Sequence, residues 1–193
     1  LHSFPTRRSS DLSVITIAAL TAMSFQVLAA TPFSMTSRDI SGDRRLAPQQ
    51  VFEGFGCHGG NQSPQLAWTN PPTGAKSFAI TVYDPDAPTG SGWWHWTVAN
   101  IPVKTMTLPA DAGNPNGEKL PAGAVQGRND FGYSGFGGAC PPAGDKPHRY
   151  QMTVWALDVD TLPIDNNASG ALVGFMLNSH VLAKAQLTAT YSR

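Results

Sequence analysis

The chain has 193 residues, with 13 Lys and Arg set against 13 Asp and Glu. That length allows one domain with its own core and leaves no room for a second of full size. The balanced charge, with charged residues only 13% of the chain and no Lys/Arg run to follow a phosphate backbone, argues against a nucleic-acid partner.

The first segment, LHSFPTRRSSDL (1–12), reads as a non-native stretch similar to sequencing-adapter read-through, and it is assigned no function. The next, SVITIAALTAMSFQVLAA (13–30), has the apolar run and small terminal residues, Val27 and Ala29, of a secretory signal. Its polar Thr16, Thr21, Ser24 and Gln26 argue against a stable membrane span. The expectation is an exported domain, periplasmic or secreted, covering 31–193. Cys57 and Cys140 fit that compartment, where an even pair most simply forms one bridge. Two free thiols, or a reactive Cys57 beside His58, are the other readings. The last lacks a group to orient the histidine.

Nineteen glycines and 16 prolines, spread along the chain, indicate tight turns between short strands. A glycine-rich segment, FEGFGCHGGNQSP, starts at Phe52. In SFAITVYD, Phe78, Ile80 and Val82 alternate with Ser77, Ala79 and Thr81, which predicts a half-buried strand. After the loop DPDAPTGSG, the run WHWTVANIP places Trp94, Trp96 and Val98 on one face and His95, Thr97 and Ala99 on the other. A second glycine-rich loop, GRNDFGYSGFGGACPPAGDKP, starts at Gly127, and Arg128 with Asp130 reads as an ion pair bracing it. RYQMTVWALD predicts a strand with Tyr150, Met152, Val154 and Ala156 on one face. GALVGFMLNSH, preceded by the capping candidates Asn166, Asn167 and Ser169, predicts a short helix with Leu172, Phe175, Met176 and Ser179 on one side. AKAQLTATYS supplies a closing strand. The fold class expected is mainly β, a two-sheet antiparallel sandwich with a short C-terminal helix.

An antiparallel hairpin joining SFAITVYD to WHWTVANIP brings Asp84 and His95 to one end of the sheet. His148 opens the next strand, and it joins them if that strand runs in the matching direction. Two imidazoles, the Tyr150 hydroxyl and glycine backbone suit a small anion, with Pro88, Pro141 and Pro142 stiffening the walls. Asp84 then orients a histidine, or a carboxylate faces the cationic end of a zwitterion. Asp84 and Asp86 also read as turn formers. Trp93, in the loop, is placed to line the mouth, while the other tryptophans read as packing.

DPDAP, then WWHWTVANIP, then a glycine-rich loop ending in PPAGDKPHRY resemble the phosphatidylethanolamine-binding protein family, which includes the Raf kinase inhibitor protein. The resemblance covers nearly all of 31–193 and is strongest to the bacterial exported branch. It implies a β-sandwich with a small anion pocket at one end. The pocket residues it implies are Asp84, Asp86 and Pro88 from the first motif, His95 from the second, and Pro141, His148 and Tyr150 from the third. Kinase inhibition, a property of animal members, is not carried over.

The function expected is non-enzymatic binding of a small phosphorylated or anionic ligand, with no cofactor and no metal. Two alternatives stand beside it. One is a hydrolase using Asp84, His95 and His148 as metal ligands or as an acid–base set. No HExxH, GxSxG or P-loop supports it. The other is a secreted interaction factor that acts through its surface.

Overall fold

Alternation of β-branched and aromatic residues with small polar ones builds most of the regular structure. The computed structural model describes residues 31–40 and 42–193, and the readings for 1–12 and 13–30 lie outside them. Strands β1 (Ser34–Thr36), β2 (Leu66–Thr69) and β5 (Thr107–Leu108) form a small sheet in the order β1-β2-β5. Strands β3 (Ser77–Asp84), β4 (Trp93–Pro102), β6 (Val125–Gln126), β7 (His148–Leu157) and β8 (Val181–Tyr191) form a larger one in the order β6-β4-β3-β7-β8. Every strand pair is antiparallel. This is the two-sheet sandwich expected. No helix among the described residues is long and apolar enough to cross a membrane.

The main core lies between the sheets. Leu66 and Trp68 from the small sheet meet Ile80, Val82, Trp96, Val98, Met152 and Val154 from the large one. Contrary to the half-buried reading, β3 and β4 are covered on both faces. The outer face carries a second cluster, Ala79, Ala99, Trp155 and Leu157, packed under Val173 and Leu177 of helix α1 (Gly170–His180).

Ser169 caps α1, its hydroxyl accepting the Leu172 N–H at 3.2 Å. The predicted face points the other way: Val173 and Leu177 are buried with Gly170 and Gly174, while Leu172 and Phe175 are exposed. The cause is the Trp94 ring. A Cβ on Gly170 would stand 2.2 Å from Trp94 Cγ, so only glycine lets the helix sit there.

Trp94 reaches that position through a bulge in β4. Val82 pairs with Trp96 and Tyr83 with Trp94, which leaves His95 as an extra residue between them. The bulge reverses the alternation. Trp94 moves to the helix side, and His95 and Trp93 turn to the side that carries Asp84, which corrects the face assignment made from period two.

Candidate functional site

In the sheet order β4-β3-β7, the end of β3 lies beside the starts of the other two strands. Asp84 therefore comes from the last position of β3, His95 from the bulge, and His148 and Tyr150 from the opening of β7. All four line one cavity of about 180 Å³. Pro88 and Pro141 of the expected set line it too, with Ala87, Thr89, Trp93 and Pro142 on the walls. Two residues that sequence reading missed are Phe55 and Phe131. Both are aromatic residues within glycine-rich segments, where apolar rings with no strand to pack them were the available signal.

Asp86 is the exception among the predicted pocket residues. It does not line this cavity; its carboxylate accepts the Arg149 backbone N–H at 2.9 Å and Nε and Nη2, each at 2.8 Å. The Arg149 hydrogen bonds hold its carboxyl well below the ordinary range, at about 2.

Asp84 serves both of its candidate roles. One carboxylate oxygen accepts the Asp86 N–H at 2.8 Å, which shapes the turn. The other accepts from His148 Nδ1 at 2.7 Å. His148 Nε2 faces Asp145 Oδ2 at 3.3 Å, so both ring nitrogens point at carboxylates. Burial pulls the His148 pKa down, but the Asp84 hydrogen bond and charge, with Asp145 behind them, carry it above the ordinary histidine value. The two carboxylates clamp the His148 ring and favour its protonated form.

His95 is its electrostatic opposite. Burial holds its pKa below the ordinary value, against the weaker pull of the Gly137 carbonyl and Asp84. Its Nδ1 donates to Gly137 O at 2.7 Å, because a carbonyl can only accept. The neutral ring thus carries its lone pair on Nε2. Its edge meets the Tyr150 ring at 5.1 Å.

Two residues of the cavity wall carry a buried donor with no protein partner, Tyr150 Oη and Trp93 Nε1, as do Trp68 Nε1 and Thr97 Oγ1 away from the cavity. Burial, and then the Asp84 charge, push the Tyr150 phenol far up, so it stays protonated. A buried donor without an acceptor costs about 1–3 kcal/mol.

The loops are pinned independently of the floor. Cys57 and Cys140 form a disulfide that closes a separation of 83 residues. Arg193 Nε donates to Pro141 O at 2.7 Å and its Nη1 to Gly56 O at 2.8 Å. The expected Arg128–Asp130 ion pair does not form; Asp130 instead accepts the Trp94 N–H at 2.7 Å and fixes the loop to the bulge. No group of three or more His, Cys, Asp or Glu among the described residues is arranged to hold a metal ion.

Comparison with known proteins supports the sandwich fold. The family model for phosphatidylethanolamine-binding protein matches residues 40–192. The UPF0098 protein YbcL of Escherichia coli K12 is 59% identical over 180 residues, which is 93% of this chain and 97% of that protein. YbhB of the same organism is 49% identical over 158 residues, 82% of this chain and 99% of that protein. The crystal structure of E. coli YbcL, described as a new member of the mammalian PEBP family, superposes with a TM-score of 0.82 at 62% identity, covering 83% of this chain and 98% of that one. With the match spanning the sandwich and every motif of the cavity, the chain belongs to the phosphatidylethanolamine-binding protein family.

Proposed function

We propose that this protein is an exported, non-enzymatic binding protein whose cavity takes a small phosphorylated or otherwise anionic ligand. The observation that carries the reading is the pair of unpartnered buried donors, Tyr150 Oη and Trp93 Nε1, in the cavity that also holds His95. An oxyanion accepts from both, and Phe55, Trp93 and Phe131 provide an apolar surround for whatever the anion is attached to. Neutral His95 adds a condition. Its free lone pair needs a proton on the ligand or taken up with it, so the site favours the monoprotonated form of a phosphate.

The second ionisation of a phosphate monoester lies at about 6. Affinity therefore falls as pH rises from 6 to 8. Calorimetric titration with inorganic phosphate and phosphoethanolamine in metal-free buffer at both pH values checks this. Binding at pH 6 that weakens at pH 8 is the expected result, and no binding at either pH removes the reading. Export has its own test in cell fractionation, where recovery outside the cytoplasm with Cys57–Cys140 oxidised is expected, and cytoplasmic retention is the contrary result.

The hydrolase reading has less support. His148 commits both ring nitrogens to carboxylates and His95 commits Nδ1 to a backbone carbonyl, and among the described residues no serine, threonine or cysteine nucleophile is hydrogen-bonded to either ring.

A further inference from the structure

The two half-cystines of the disulfide are not equivalent. Cys140 stands on the cavity wall. Cys57 does not; it is 3% exposed and packs with Val51 and Phe52. A thiolate displaces one sulfur from the other, so the sulfur it reaches enters the mixed disulfide and the second one leaves. From the cavity, the half-cystine within reach is Cys140.

Arg193 places a cation beside both arms of the disulfide. Its guanidinium hydrogen-bonds the carbonyls of Gly56 and Pro141, the neighbours of Cys57 and Cys140. A cation beside a leaving thiolate stabilises it and speeds its departure. The loops also hold their register without the S–S bond. Phe52 N–H donates to Ala139 O at 3.0 Å, and Gly138 N–H to Asn61 Oδ1 at 2.7 Å. Cleavage at this position frees a thiol without dismantling the wall.

We propose that Cys140 is a thiol-exchange site entered through the cavity, and that its substrate is a small thiol bearing an anionic group. The anion seats against the free donors of Tyr150 and Trp93. The thiol gives its proton to solvent and attacks Cys140 Sγ as thiolate. The S–S bond breaks, its electron pair leaves on Cys57, and Cys57 takes a proton from water. One thiol and one disulfide become a mixed disulfide at Cys140 and a free thiol at Cys57, with no net gain or loss of electrons. The seating step rests on the anion reading above; the choice of Cys140 over Cys57 does not.

The test exposes the full chain to mercaptoethanesulfonate, which is anionic, or to neutral mercaptoethanol, each with and without inorganic phosphate. Free thiols are then trapped with N-ethylmaleimide, and the adducts are located by peptide mass spectrometry. The mixed disulfide is expected on Cys140 and the maleimide on Cys57 with both reagents. Phosphate at ten times its Kd should slow the sulfonate reaction about tenfold by occupying the cavity. Adducts on Cys57, or divided equally, overturn the exchange site and leave the anion reading standing. Phosphate that binds by calorimetry yet protects against neither thiol overturns entry through the cavity. Adducts on Cys140, with no phosphate binding at all, sustain the exchange site and sink the anion reading.

Discussion

Tyr150 sets stability against use. Its hydroxyl is buried without a partner, so Tyr150→Phe removes a polar group that the fold does not satisfy. Such a change is expected to leave the unfolding free energy unchanged or to raise it by about 1 kcal/mol. The same substitution deletes a donor to a charged ligand, worth about 1.5–3 kcal/mol, or roughly tenfold to a hundredfold in affinity. His148 behaves oppositely. It and Asp84 are both buried, so His148→Ala leaves a carboxylate uncompensated and is expected to cost about 3–5 kcal/mol in urea unfolding. The pH dependence follows from the raised pKa. The stabilising contribution is fully present below the unfolded value of about 6.5 and is lost as pH rises through the higher folded value. Above pH 7, where His95 is neutral in both states, the urea midpoint of the wild type should fall as His148 loses its proton, and that of His148→Gln should lack this component.

At the scale of elements, the strands were readable because their apolar alternation is long, but two faces were not. A one-residue bulge flips every side chain beyond it, and in WWHW the three tryptophans suit either face while the one polar residue, His95, is the bulged residue itself. Trp94 was accordingly placed beside Trp96, when it lies under the helix. GALVGFML is apolar on all sides, so helical spacing defined a stripe without deciding which stripe is inward. Gly170 and Gly174, at i and i+4, held the missing cue for a close approach to Trp94. Gly170→Ala drives a methyl into that ring and is expected to destabilise by about 1–3 kcal/mol, with a change in tryptophan emission. An alanine tolerated there without either effect would show that the helix does not sit on Trp94 as described.

At the scale of the whole molecule, the sandwich brings together residues far apart in sequence. Asp84 and His148 are 64 positions apart. Local pattern could place each at a strand end, but only matching strand direction, together with the family motifs, joined them. Asp86 was carried over with the DPDAP motif, which holds both aspartates without showing which of them faces the cavity. Its bond to Arg149 depends on where β7 starts. The orphaned donors were invisible, since an unmade hydrogen bond has no sequence signature. The Cys57–Cys140 bridge was readable from cysteine count and compartment. Closing its loop is worth roughly 4 kcal/mol on the chain-entropy model, so the double Cys→Ser variant should lose about that much in denaturant unfolding. The proposed function rests on Tyr150 Oη as a donor to the ligand. Its most direct test is calorimetric titration of inorganic phosphate into wild type and Tyr150→Phe side by side at pH 6. Binding to the wild type, with at least a tenfold weaker affinity in the variant, is the expected result; equal affinity in both, or no binding to the wild type, would overturn the role of Tyr150.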